Sequence, residues 1–280
     1  MARSDSFRFQ TNPFAAPTRG ATVPLNVMNT AAKALRAAEH VCVFTGAGMS
    51  AESGVPTFRD AQSGLWSKYD AHELATPEAF RRNPNLVWSW YSMRAAAVRD
   101  AQPNAGHRAL TTLFAYVPHS TLITQNVDDL HARAGAENQI ALHGNIVLAR
   151  CSAGCGARIS FADAPTNVAP HCANCGALMR PDVVWFGEML SAGLLESARA
   201  ATLACDVFVS IGTSNVVEPA ASLPWIAASH GATVIVVNKN MQSQRSGPSI
   251  VQLEGLAGAV LPALVTMAFQ GRKPRYSEES

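Results

Sequence analysis

Four of the six cysteines fall in two close pairs, "CSAGC" (Cys151, Cys155) and "CANC" (Cys172, Cys175). Each pair can sit on a turn and present two thiolates, and two such turns together make a tetrahedral zinc site. Two disulfides or four unrelated thiols are the alternatives. The N-terminus shows no apolar secretory core, which indicates an intracellular chain and disfavours disulfides. One structural Zn2+ is therefore expected, with all four positions filled by sulfur and none left for water or substrate. A zinc ribbon that reads nucleic acid would need a stripe of Lys and Arg that this module lacks. Cys42 and Cys205 lie in or beside apolar runs and are expected to be inert core residues.

The loop "GAGMSA" follows the apolar run "VCVFT" and fits G-x-G-x-x-A at Gly46, Gly48 and Ala51. Small residues there let the backbone approach a pyrophosphate, whose charge is met by N–H groups at a helix start. The acidic residue that a dehydrogenase places about 20 residues further on is missing, and the loop continues into the turn-rich "ESGVPTFRDAQSGLW". Hydride transfer is disfavoured on that ground. Further along, "TQNVDDLH" puts Gln125, Asn126 and Asp128 after one strand, and "LHG" puts His143 after the next. "IGTSNVVEP" places Gly212, Thr213 and Ser214 in the same way, and "VVNKN" places Asn238. Any one of these alone is a turn or a cap. Together at the carboxyl edge of one sheet they mark a ligand site.

Such loops need a scaffold to bring them together. The β-rich runs "HVCVFT", "TLITQN", "NQIALH", "DVFVSIG" and "ATVIVVN" alternate with the helical patterns "VMNTAAKALRAAEH", "HRALTTLFAYV", "LLESARAATLAC" and "LPALVTMAF". This alternation predicts an α/β fold, a parallel sheet with helices on both faces. Two stretches interrupt it, an aromatic helical one over 61–100 and the cysteine-rich one over 145–180. The expected sheet domain comprises 25–60, 101–144 and 181–271, and the two inserts form a small domain. Tails are expected at 1–24 and 272–280. The first carries Arg3, Arg8 and Arg19 against Asp5, a bias shared by mitochondrial transit peptides and by plain disordered extensions. With 280 residues, 48% hydrophobic and 15% charged, the chain can bury a large core. A net charge of +2 gives no ground for a nucleic-acid or membrane partner, and no apolar run approaches the roughly 20 residues of a membrane span. A monomeric, cytoplasmic protein is expected, with mitochondrial import an option for a eukaryotic source.

In order along the chain, "GAGMSAESGVPTFR", "TQNVDDLHARAG", "LHG", the two cysteine pairs, "RPDVVWFGE" and "IGTS" resemble the sirtuins, NAD-dependent protein-lysine deacylases. The resemblance runs from about Ala31 to Phe269. It implies a large Rossmann-like domain, a small zinc-holding domain, and a cleft between them for NAD and an acylated lysine. It also implies that NAD is consumed: the acyl oxygen attacks the ribose carbon bearing nicotinamide, and nicotinamide, O-acyl-ADP-ribose and free lysine result. That chemistry accounts for the missing dehydrogenase pattern.

By the same similarity His143 is the general base toward a ribose hydroxyl, while Asn126 and Asp128 bind the nicotinamide end and organise the reacting ribose. Gly46, Ala47, Gly48, Ser50, Ala51, Phe58, Arg59, Trp66 and Gln125 would line the rest of that half of the cofactor site. Gly212, Thr213, Ser214, Asn238 and Ala257 match the adenosine end; Asn240 departs from relatives that carry an acidic residue there. Val184, Trp185, Phe186, Gly187 and Glu188, within "VVWFGE", match the strand on which sirtuins lay an extended substrate peptide.

Tyr91 and Arg94 stand three apart, on one face of the helix "VWSWYSMRAAAV". Without the resemblance they read equally well as a core tyrosine and a solvated arginine. Within it, the Tyr-x-x-Arg pair matches sirtuins that remove succinyl, malonyl or glutaryl groups, and Ala61 matches a small residue that leaves their acyl pocket wide. A guanidinium can clamp a carboxylate bidentately while a phenol donates a further hydrogen bond. The expected activity is deacetylation, with desuccinylation and demalonylation favoured by Tyr91 and Arg94. A protein mono-ADP-ribosyltransferase and a non-catalytic NAD-sensing module are the alternatives, and the intact set of Asn126, Asp128 and His143 counts against the second.

Overall fold

The computed structural model describes residues 23–55, 71–214, 216–241 and 246–275. In chain order its elements are α1 (Leu25–Ala37), β1 (His40–Thr45), α2 (Ala71–Leu74), α3 (Pro77–Arg82), α4 (Pro84–Asp100), α5 (Ala105–Tyr116), β2 (His119–Thr124), α6 (Leu130–Arg133), β3 (Gln139–Ala141), β4 (Gly144–Cys151), β5 (Arg158–Ser160), β6 (Met179–Val183), α7 (Ala192–Ala204), β7 (Val207–Ile211), α8 (Leu223–Ser229), β8 (Thr233–Asn238), β9 (Ile250–Glu254) and α9 (Ala257–Phe269). Local chemistry sets several starts. Thr76 and Asn83 accept from the Ala79 and Leu86 N–H groups ahead of Pro77 and Pro84, and Asn104 forms a reciprocal capping box with His107.

Six strands form one sheet in the order β3-β2-β1-β7-β8-β9, every pair parallel. Side chains alternate across it, as the period of a strand demands. Val41, Val43, Val207 and Val209 pack with α1, α5 and α9 in one core, and Cys42, Phe44 and Phe208 pack with α7 and α8 in another. Helices thus cover both faces, as the alternation of runs predicts. The strand β9 and the helix α8 go beyond the expected elements. "IVQLE" is a half-polar edge strand with one fully buried residue, and α8 is a seven-residue helix, so neither carries a strong periodic signal.

A second, antiparallel sheet, β5-β4-β6, packs with α3 and α4 around a separate core that contains Trp88, Trp90, Ile146, Phe161, Met179 and Trp185. The expected boundary between 180 and 181 falls inside β6. That strand pairs with β4 from Met179 to Val183 and so belongs wholly to the small sheet. The helical insert is present from 71 to 100, and residues 61–70 lie outside the described ones. No helix among the described residues is long and apolar enough to cross a membrane.

The large sheet reverses its order of growth between β1 and β7, the position where open α/β sheets leave a crevice at their carboxyl edge. There the loops after the two strands touch. Gly46 N–H donates to Ile211 O at 2.9 Å and Gly48 N–H to Gly212 O at 3.0 Å. A Cβ on Gly48 would lie 2.7 Å from Gly212 Cα, and one on Gly212 would lie 2.5 Å from Met49 N. Gly212 also has φ +59°, a region that L side chains rarely occupy. Gly212→Ala should therefore lower the unfolding free energy by about 1–3 kcal/mol, read from urea titrations. Gly193→Ala, where an added Cβ meets nothing within 4 Å, should leave it unchanged or slightly raised.

Candidate active site and metal centre

The last residues of β1 and β2, Thr45 and Thr124, are register partners, and their hydroxyls lie 2.8 Å apart. Thr45 Oγ1 also lies 2.9 Å from His131 Nε2, and Thr124 Oγ1 accepts from Asn126 N–H at 3.0 Å. The Asn126 amide in turn donates to Ser50 Oγ at 3.1 Å. Asn126 and Ser50 are buried, so the loop after β2 and the loop after β1 share one polar network. Asp128, also buried, joins it. Its Oδ1 accepts from Leu130 N–H, and burial raises its pKa against the opposing bonds from Ser50 and Leu130.

Gln125 N–H continues the pairing by donating to Thr45 O, while its own carbonyl lies 2.8 Å from His143 Nδ1. A carbonyl only accepts, so His143 carries its proton on Nδ1 and keeps a lone pair on Nε2. Burial pushes the His143 pKa down, with the bond to Gln125 acting the other way. The ring is neutral at neutral pH. Three loops, after β1, β2 and β3, thus converge on a hydroxyl, an amide, a carboxylate and an imidazole base.

On the other side of the crevice, Asn238 Nδ2 donates to Thr213 O at 2.8 Å, and Thr213 Oγ1 lies 3.1 Å from Ser210 Oγ. Gly212 N–H donates to Val237 O. Ser214 is half-buried beside them, and Ala257 opens α9. Residues Ala47–Met49 and Ala51–Ser53 form two short 3-10 turns, with Ala47 and Ala51 exposed. Among the described residues no long helix follows the glycine loop directly. Phe58, Arg59, Ala61 and Trp66 lie outside the described residues.

Sequence reasoning missed the groups that hold this loop in place. Asn104 Nδ2 donates to Met49 O at 2.8 Å and to Ser53 Oγ at 3.1 Å, and Glu52 Oε2 accepts from Gly258 N–H at 2.6 Å. His107 and His131 touch ring to ring, with centroids 4.8 Å apart and planes tilted by 59°. Burial holds both neutral, at about 4 and about 3. The signals were present: "NAGH" has capping-box spacing, "VFT" and "LIT" end paired strands on threonine, and "DDLH" contains His131.

Tyr91 is buried on α4, and its Oη accepts from Trp185 Nε1 at 3.1 Å. Arg94, one turn on, sits with its guanidinium carbon 4.9 Å from the Trp90 ring centre. The segment Val184–Glu188, expected as a strand, is extended only at its start. Val184 N–H donates to His143 O and Phe186 N–H to Ala75 O, and Gly187 (φ +84°) closes a turn from Trp185 to Glu188. The first of these bonds closes the β4–β6 ladder beyond the Gly144–Val183 pair and the second turns the backbone from β4 to Ala75, so strand pairing ends at Val183. The first of them sets the segment directly beside the imidazole base.

The four cysteines converge as their spacing predicts. All four sulfurs lie within 4.8 Å of one another, with Cys151–Cys175 at 3.4 Å and Cys155–Cys172 at 3.5 Å. Zn–S bonds of about 2.3 Å in a tetrahedron require sulfurs about 3.8 Å apart, so the cluster fits one zinc ion closely. The nucleotide crevice fits as well: it combines small residues at the reversal point, Gly48 and Gly212 half-buried and Ala47 and Ala51 exposed, with a buried carboxylate, Asp128, bonded to neutral donors.

The Sir2 family pattern matches residues 46–219, a span holding the glycine loop, Asn126, Asp128, His143 and all four cysteines. The chain belongs to the Sir2 family. NAD-dependent protein deacylase 1 of Pseudomonas aeruginosa is 46% identical over 254 residues, covering 87% of this chain and 100% of that one. The NAD-dependent protein deacylase of Methylococcus capsulatus is 49% identical over 239 residues, covering 82% and 93%. Among solved structures, a complex of a Sir2 homologue with NAD superposes with a TM-score of 0.79 at 40% identity, covering 90% and 96%. A Sir2 protein bound to a myristoylated histone peptide follows with 0.68 at 33% identity, covering 87% and 96%.

In this Sir2 chain the zinc cluster ties the β4 end to the turns before β6, so the metal and the small sheet are one unit. Structural zinc contributes about 10–16 kcal/mol in small modules, comparable to the stability of a whole domain. Chelation, or Cys172→Ser, should therefore open the core that holds three of the five tryptophans, Trp88, Trp90 and Trp185. The expected readout is a red shift of tryptophan emission in step with zinc release. Emission that stays blue after complete zinc loss would contradict the coupling.

Proposed function

We propose that this NAD-dependent protein deacylase of the Sir2 family prefers lysines carrying acidic acyl groups, succinyl and malonyl, and removes acetyl more slowly. The observation that carries this reading is the Tyr91–Arg94 pair on one face of α4, joined through Trp185 to the segment bonded to His143. Guanidinium and phenol can both donate to a carboxylate, and a neutral acetyl group offers nothing for either. Ala61, outside the described residues, would add room for the longer acyl chain.

NAD, when bound, supplies the ribose carbon that nicotinamide leaves and the acyl oxygen joins. Gly46, Ala47, Gly48, Ser50, Ala51 and Gln125 would hold its nicotinamide half, together with Phe58, Arg59 and Trp66. Gly212, Thr213, Ser214, Asn238 and Ala257 would hold the adenosine half. Asn126 is fixed by Thr124 and Ser50, and Asp128 by Ser50 and Leu130, so both can orient a ribose and an amide without rearranging. His143, locked by Gln125, takes the proton of a ribose hydroxyl on Nε2. Val184–Glu188 would pair with extended substrate backbone on its open side.

Losing one partner of a buried, hydrogen-bonded charge pair costs about 2–5 kcal/mol, whereas one methylene costs about 1–3 kcal/mol. The charge contact therefore dominates selection. Arg94→Met should reduce kcat/KM on succinyl-lysine peptides by about 30-fold or more and on acetyl-lysine peptides far less. Equal losses on both would overturn the reading.

His143→Ala should slow deacylation by about 10²–10⁴. The base works only when neutral, and its pKa is depressed below the ordinary histidine value of 6.5. The kcat/KM profile should thus stay flat down to about that pH and fall only under more acid conditions. A limb centred above the ordinary histidine value would place a different group in control.

A further inference from the structure

The Tyr91 hydroxyl stands at the end of a chain of contacts that begins in the small sheet. Glu188 accepts from both terminal nitrogens of Arg180, at 2.5 and 2.9 Å, and from Trp185 N–H at 2.9 Å. Burial alone would raise the Glu188 pKa, but those bonds hold its carboxyl below the usual range. Arg180 also donates to Val183 O, and its guanidinium carbon lies 3.4 Å from the Trp185 ring centre. The Phe80 ring packs 5.3 Å from the same indole, which is 3% exposed. Trp185 has no freedom to turn.

Its Nε1 therefore points at Tyr91 Oη with fixed geometry. An indole nitrogen donates and cannot accept, so the tyrosine oxygen is the acceptor and its own proton must be donated elsewhere. Burial raises the Tyr91 pKa strongly and keeps that proton on the ring. Two positive charges and one negative, those of Arg94, Arg180 and Glu188, act on Tyr91.

We propose that Trp185 is a positioning residue for acyl selectivity: its indole N–H occupies a lone pair of Tyr91 and turns the phenol proton toward the acyl carboxylate. The inference rests on the acidic-acyl reading above. Without the indole N–H the hydroxyl rotates, and it can present a lone pair to the carboxylate in place of its proton. Arg180 and Glu188 act one step further out by holding the indole still.

The test compares kcat/KM on succinyl-lysine and acetyl-lysine peptides of one sequence. The ratio of the two is independent of the fraction of folded enzyme. Trp185→Phe should lower the succinyl-to-acetyl ratio about tenfold, the worth of one hydrogen bond to a charged system. Tyr91→Phe should lower it similarly, and Trp185→Phe added to Tyr91→Phe should lower it no further. Should Trp185→Phe fail to fold, benzothienylalanine at position 185 replaces the N–H by sulfur and keeps the bicyclic shape. It should give the same drop. A ratio that either replacement leaves intact, in an enzyme whose wild type prefers succinyl, overturns the role of Trp185 alone. A wild type without that preference overturns this role and the acidic-acyl reading together.

Discussion

Two strands that grow outward from the centre of the sheet bring their loops into contact at β1 and β7, and the chain accommodates the contact by having no side chains there. Gly48 and Gly212 meet backbone to backbone, with a hydrogen bond of 3.0 Å between them. Any Cβ would separate the loops and widen the crevice in which the nucleotide half of the site lies. The glycines usually ascribed to phosphate binding thus have a prior task in this molecule, the closure of one loop on the other.

From that crossing outward, polar side chains hold each loop from behind. The threonines that end β1 and β2, the two buried imidazoles and Asn104 form a connected set that reaches the Met49 carbonyl on one side and the Asn126 backbone on the other. Each bond in it resists displacement, because a buried group that moves loses its partner, although His107 Nε2 and His131 Nδ1 make no hydrogen bond among the described residues. Asn126, Asp128 and His143 consequently keep their places through bonds to backbone and to neutral hydroxyls. This leaves Nε2 of His143 for proton transfer.

The small lobe has a different physical basis. Its antiparallel sheet is three strands wide and packs against α3 and α4 through a core rich in tryptophan, with four thiolates fastening the far end. Metal binding to such a small module contributes to its folding free energy directly. The same lobe carries the Glu188–Arg180–Trp185–Tyr91 chain, so the metal that holds the lobe also preserves the geometry against which an acyl group would be measured. The segment after β6 links the two lobes through the bond from Val184 to the His143 carbonyl.

Much of this was legible in the chain. Strand and helix periods, the spacing of the cysteine pairs, the small residues after "VCVFT" and the order of the motifs are local properties, and they determined the α/β class, the zinc cluster and the family. They also put Asn126, Asp128 and His143 at strand ends. Local signals failed where a short or half-polar element depends on its neighbours, as with β9, α8 and the strand β6 that crosses the expected domain boundary. Only the tertiary structure decided that Val184–Glu188 turns after Val183, that Asn104 and Glu52 pin the glycine loop, and that Trp185 donates to Tyr91. The reason is separation: Tyr91 and Trp185 stand 94 residues apart, and Glu52 and Gly258 stand 206 apart. No periodicity or spacing records a hydrogen bond between groups that meet only when two sheets and a metal have set the chain's path.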